Sequence, residues 1–118
     1  MIDRPTPSFA QINVEEFAQL RATSPEPLQL VDVREPHELE LAHLEGFENL
    51  PLGEFAEWSG QIHDRLDTEK PVLVLCHHGM RSAQMCQWLT TQGFTNVQNI
   101  EGGIDAYSAV VDRTVPRY

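Results

Sequence analysis

Apolar positions along the chain follow two rhythms, one helical and one extended. Val14, Phe17 and Ala18, continued by Arg21, recur at helical spacing behind Asn13, with Glu16 three residues on as a variant capping box. Ser8 to Gln11 before them reads as a short strand. Pro25 and Pro27 break the chain ahead of Leu28-Gln29-Leu30-Val31-Asp32-Val33, a mostly apolar run of strand length. Glu35 to Leu44 is acidic and holds one or two helical turns, and a short extended piece follows near Asn49-Leu50-Pro51. Phe55, Trp58, Ile62 and Leu66 are three or four apart, which predicts a helix over Leu52 to Leu66 kinked around Ser59-Gly60.

The second half is clearer. Val72-Leu73-Val74-Leu75-Cys76 is apolar without alternation, as expected of a central strand covered on both faces. His77-His78-Gly79-Met80 forms a loop, and a helix over Arg81 to Gln92 turns Met85, Trp88 and Leu89 to one face before stopping at Gly93. Val97 to Ile100 is a further strand, Gly102-Gly103 a turn, and Ile104 to Val111 a last helix. Strand and helix alternate throughout. That pattern predicts an α/β fold, a mainly parallel central sheet flanked by helices on both faces. With 118 residues there is room for one domain spanning 1–118, its core over about 8–111 and its ends short tails. The 41% hydrophobic content suffices for a core without staples or metal.

Charge sharpens this picture. Eighteen acids against eight Lys and Arg give a net charge of −10, which argues against a partner held by its phosphates, so no nucleic acid is expected. Asn13 to Lys70 hold fourteen acids and four bases, and the remainder four of each, so the whole deficit lies in that segment. From Pro71 to Ile100 the sole Asp, Glu, Lys or Arg is Arg81. No apolar run approaches the roughly 20 residues needed to cross a bilayer, so no membrane association is expected. The first residues lack a basic region followed by an apolar stretch, and the two cysteines, Cys76 and Cys86, form neither a CxxC pair nor a disulfide framework. A cytoplasmic location and reduced thiols are the expectation.

Ligands of parallel α/β sheets bind beyond the carboxyl ends of the strands. Two strand ends carry chemistry, Asp32-Val33-Arg34 and Cys76-His77-His78-Gly79-Met80-Arg81-Ser82. In the second, a cysteine ends a buried strand and a glycine-containing turn opens a helix, so successive N–H groups can form a nest for an anion at the sulfur. Adjacent ligands on such a turn diverge, so Cys76, His77 and His78 are not expected to hold a metal. Cys86 reads as a core thiol, and His37, His43 and His63 as surface or packing histidines. Trp58, Trp88 and Phe94 read as core.

These residues resemble the rhodanese family of sulfurtransferase domains. Asp32-Val33-Arg34-Glu35 with Glu38 is similar to its DVR-x-x-x-E segment, and His43 to Pro51 to its H-I-x-G-A-x-N-I-P segment. Cys76 to Arg81, with Ser82 after it, resembles the six-residue active loop, and Gly102 to Tyr107 the late G-G-x-x-x-W. Four ordered matches over nearly the whole chain are specific where one would be weak. The departures are Phe47 for the usual Ala and Tyr107 for Trp, which read as packing changes.

The resemblance implies that Cys76 takes a sulfane sulfur from thiosulfate or a persulfide as a persulfide of its own and passes it to a thiol or cyanide, without a cofactor. The implied partners are a small-molecule or protein persulfide donor and a thiol acceptor, and a monomer is expected. His77, His78, Gly79, Met80 and Arg81 would bind substrate chiefly through backbone donors, with Arg81 the cation for an anionic donor. Asp32, Arg34 and Ser82 would support the loop, Asp32 as a brace. His77 and His78 invite a general-base role, but a thiolate needs no base, and capping, hydrogen bonding or a place at the mouth is the alternative for each. Lowering a thiol pKa by about two units from roughly 8.5 raises the thiolate about twelvefold near neutral pH but lowers its nucleophilicity about six- to tenfold, so the nest serves mainly to hold the persulfide and the displaced charge. Two alternatives stand beside this: a non-catalytic module binding a protein partner, and a cysteine phosphatase. The latter spaces Cys and Arg as C-x5-R, against C-x4-R here. The acidic segment should repel a small dianion, which favours a donor less charged than thiosulfate or a protein persulfide.

Overall fold

The computed structural model describes residues 9–118. Its elements run β1 (Ala10–Ile12), α1 (Val14–Thr23), β2 (Gln29–Asp32), α2 (Pro36–Leu41) and β3 (Glu48–Asn49), then α3 (Phe55–Trp58), α4 (Ile62–Arg65), β4 (Val72–Leu75), α5 (Met80–Thr91), β5 (Val97–Ile100) and α6 (Gly103–Val110). The first strand lies slightly later than the sequence predicts, and Ser8 is outside the described residues. Asn13 caps α1 as expected: its side chain accepts from the Glu16 N–H at 2.8 Å, and the Glu16 carboxylate accepts from the Asn13 N–H at 3.0 Å. The kink predicted around Ser59-Gly60 is a 3-10 turn, Ser59–Gln61, between α3 and α4, and a second such turn, Leu52–Glu54, precedes α3.

All five strands are parallel, in the order β1-β5-β4-β2-β3. The chain leaves β2 toward β3 on one side and β4 toward β5 on the other. Two neighbouring strands whose connections diverge leave a crevice at their carboxyl ends. Register places Asp32 opposite Leu75, so the candidate segments after β2 and β4 open side by side at that crevice.

The uniformly apolar β4 follows from its central place. Val72, Val74 and Cys76 face a core with Trp58, Ile62, Met85, Cys86 and Leu89, while Leu73 and Leu75 face one with Phe17, Ile100 and Ile104. Thus α3, α4 and α5 cover one face, and α1 and α6 the other. Phe55, Trp58 and Trp88 pack edge to face on the first side, centroids 4.9 to 5.8 Å apart. The two departures from the family pattern are packing changes: Phe47 and Tyr107 flank the fully buried Phe17 at 5.9 and 6.0 Å. His63 stacks on Phe94.

Beyond α6 the chain turns back along the domain. The Ser108 hydroxyl donates to the Val115 carbonyl, Arg117 pairs with Asp105 at 3.0 and 3.1 Å, and Tyr118 reaches the carboxyl end of the sheet. Among the described residues no helix is long and apolar enough to cross a membrane.

Candidate active site

Cys76 leaves β4 with 1% of its surface exposed and its sulfur turned toward the start of α5. One donor addresses Sγ, the Gly79 N–H at 3.0 Å, and the Ser82 hydroxyl lies within hydrogen-bond reach of it at 3.2 Å. The loop reaches this shape because Gly79 has φ of 98°, and a Cβ there would sit 3.1 Å from the Gly102 backbone nitrogen. The peptide carbonyls point the other way. Those of Cys76 and His77 accept the N–H groups of Ile104 and Asp105, at 2.9 and 3.1 Å, from the first turn of α6. Gly103, with φ of 62°, makes that approach possible, since a Cβ there would collide with both carbonyls. The late Gly-Gly segment therefore docks α6 against the active loop and draws its carbonyls away from the sulfur.

Asn99 on β5 holds the loop from beneath. Its Nδ2 donates to the Gly79 carbonyl at 3.1 Å and the Gln11 side chain at 3.0 Å, and its Oδ1 accepts from the Ser82 hydroxyl at 2.5 Å. Ser82 has one proton to give. While it goes to Asn99, the hydroxyl oxygen can accept the Cys76 thiol proton; with a thiolate or persulfide at Cys76, the hydroxyl can turn to donate to the sulfur.

Beside the loop is a buried polar network. Arg34, fully buried, meets Asp32 through Nε at 3.0 and 3.2 Å and Nη2 at 2.7 Å, and donates through Nη1 to the Glu38 carbonyl and the Tyr118 hydroxyl. Burial works against its charge, but hydrogen bonds to Asp32 and Tyr118 outweigh it and its pKa is raised. Asn49 ties the Asp32 and Arg34 carbonyls together at 2.9 Å each. Asp32 and Arg34 thus brace the crevice floor.

Arg81 is not free at the mouth. Its guanidinium clasps the Glu38 carboxylate at 2.7 and 2.9 Å, and the Tyr118 hydroxyl donates to the same carboxylate at 3.0 Å. Hydrogen bonds from Arg81 outweigh the desolvation of burial and hold Glu38 at about 2, while the Arg81 pKa is raised by the same contact. Both terminal nitrogens of the Arg81 guanidinium are thus committed to Glu38. The His77 and His78 rings lie 3.9 Å apart, and Tyr118 stacks on His77 at 3.9 Å and 6°. Burial, then the neighbouring His78, push the His77 pKa down. Met80 stands 76% exposed at the head of α5. Cys86 is fully buried on the same helix, and burial pushes its thiol up to about 12, which suits a core thiol. A concavity of about 490 Å³ lined by Gln29 and His63 to Thr68 lies at the opposite, amino-terminal end of the sheet.

The loop from Cys76 to Arg81 thus lies at the carboxyl end of the sheet beside Asp32 and Arg34, with Gly79 and Ser82 at the sulfur and Met80 turned outward. Glu38 enters the sequence comparison only as a motif letter, and its hold on Arg81 depends on a contact across 43 residues. Asn99 is one of two adjacent amides in β5, beside Gln98, and nothing in the local pattern singles it out. Tyr118 carried no local signal.

The profile of the Rhodanese-like domain matches residues 13–110. Over 90 residues the chain is 51% identical to the Arabidopsis thaliana protein called Rhodanese-like/PpiC domain-containing protein 12, chloroplastic, a match covering 76% of this chain and 30% of that protein's length. It is 32% identical over 100 residues to the Shewanella oneidensis protein called thiosulfate sulfurtransferase GlpE, covering 85% of this chain and 93% of the relative. A rhodanese-like domain protein from Staphylococcus aureus superposes with a TM-score of 0.74 at 21% identity, over 93% of this chain and 99% of the other, which establishes the shared fold. By its residues, its sheet order and its match across most of its length, the chain belongs to the rhodanese-like domain family.

Proposed function

We propose that the protein is a sulfurtransferase in which Cys76 carries the sulfur. In the first step the Cys76 thiolate attacks the outer sulfur of a donor such as thiosulfate; a Cys76 sulfur–sulfur bond forms, that of the donor breaks, and sulfite leaves with the electron pair. In the second, cyanide or a thiolate attacks the terminal sulfur and the Cys76 thiolate departs. The observation that carries this reading is the Gly79 N–H directed at Sγ from 3.0 Å, in a loop whose neighbouring carbonyls are held away by α6. Such a cradle favours negative charge on the sulfur throughout the cycle. The name of the Shewanella oneidensis relative supports the same activity.

The donor we favour is less charged than thiosulfate, or is a protein persulfide. Arg81 is spent on Glu38, and the net charge of −10 opposes a dianion. The same pairing weighs against phosphatase chemistry, which needs a free arginine for a dianionic phosphoryl group. The test is thiocyanate formation from a donor and cyanide. Parallel double-reciprocal lines, and no turnover by Cys76→Ser, are expected. Cys76-dependent hydrolysis of an aryl phosphate without thiocyanate formation would overturn the proposal. For thiosulfate, kcat/KM should rise with salt as repulsion is screened; a fall would contradict the donor assignment.

A further inference from the structure

Tyr118 makes contacts at the mouth that packing alone does not require. Its ring lies flat on His77, at 3.9 Å and 6°, while its hydroxyl accepts from Arg34 at 2.9 Å and donates to Glu38 at 3.0 Å. This arrangement leaves a defect: His77 Nε2 is buried without a hydrogen-bond partner among the described residues. A buried polar atom left unpaired is unfavourable, and an active-site loop that keeps one is suited to a partner not present in this arrangement. The segment carrying Tyr118 is secured nearby by Arg117 on Asp105, an ion pair whose arginine is 60% exposed, of the class that contributes little. That pair adds little, so a donor that takes the place of the ring must chiefly replace the stack on His77 and the Tyr118 hydroxyl's bonds to Arg34 and Glu38.

Resting on the sulfur-transfer reading above, we propose that Tyr118 is a specificity-determining residue, holding on His77 the place that the organic body of the sulfur donor takes. Every donor must displace the ring. Thiosulfate has no flat face with which to replace the lost stack, whereas a donor with an aromatic body restores it and can approach Nε2. Specificity is then a difference between what each donor returns after the same displacement. The class selected is an aryl-bearing sulfane donor, or a persulfide presented beside an aromatic group.

The test compares methanethiosulfonate and benzenethiosulfonate, equal in charge and in reacting atoms. With each, the Cys76 thiolate takes the outer sulfur and the sulfinate leaves. For the unaltered protein, kcat/KM should favour the aryl donor at least fivefold. Tyr118→Ala should raise kcat/KM for methanethiosulfonate at least threefold, and Tyr118→Phe, which keeps the stack, should raise it less. Arg117→Ala loosens the segment without touching the loop and should act in the same direction. His77→Ala should bring the aryl preference close to one. Failure of Cys76 to gain sulfur from either donor would refute the sulfur-transfer reading, and this inference with it. Persulfide formation with no aryl preference, or with all Tyr118 and Arg117 variants within twofold of the unaltered protein, would overturn this inference alone.

Discussion

Arg81 and Glu38 form a two-pronged pair, 2.7 and 2.9 Å, between the first turn of α5 and the body of α2, with the Glu38 side chain 11% exposed. The pair removes the one cation of the active loop from the service of an incoming anion. Glu38→Gln should release Arg81 and lower KM for thiosulfate about threefold or more in steady-state assays. An unchanged or higher KM would show that Glu38 does not mask Arg81.

The same pair makes stability depend on acid pH. The Glu38 carboxyl lies at about 2 in the folded protein against an ordinary 4.5, so the unfolded chain binds its proton first as pH falls. The contribution is complete above 4.5 and lost as pH drops from there through about 2. A shift of this size corresponds to about 3 kcal/mol at full strength; with the Arg81 side chain 34% exposed, solvent screening brings the expected contribution to about 2 kcal/mol. Urea titrations at several acid pH values should show the unaltered protein losing stability over this window relative to Glu38→Gln. Parallel pH profiles would contradict the assignment.

Arg34 and Asp32 should behave as structural partners. Arg34→Ala leaves the Asp32 carboxylate, 1% exposed, without its guanidinium, a change expected to destabilise by about 3 to 5 kcal/mol in chemical denaturation. A loss below about 1 kcal/mol would mean that the pair does not brace the crevice.

Gly103 and Gly60 provide a matched contrast. A Cβ at Gly60 meets nothing within 4 Å, whereas at Gly103 it meets the carbonyls of Cys76 and His77. Gly103→Ala should lower kcat/KM at least tenfold by shifting the loop carbonyls, while Gly60→Ala stays within twofold. Equal activity in both variants would remove the role given to α6.

How much of this was legible in the chain depends on the range of the interaction. The β4 strand and its loop could be read directly, because a central strand leaves an unbroken apolar run and a glycine marks the turn after it. The α1 cap and the kink near Ser59 are equally local and were found where expected. Arg81 differed for the opposite reason. Alone among uncharged neighbours it read as the substrate cation, yet its partner comes from α2 in the acidic half. Asn99 under the loop and Tyr118 on His77 depend on side chains meeting across the fold, which no periodicity reports. The extent of β1 is set by pairing to β5 at the sheet edge, where the local pattern is weak.

If Cys76 carries the transferred sulfur, the chain itself must gain mass. Intact mass measurement after incubation with a sulfane donor tests it most directly. The expected result is a gain of one sulfur atom per chain, removed by cyanide or thiol and absent in Cys76→Ser, with Cys86 unmodified. A chain that gains no sulfur from thiosulfate, a thiosulfonate or a persulfide, or that gains it equally in Cys76→Ser, would contradict it.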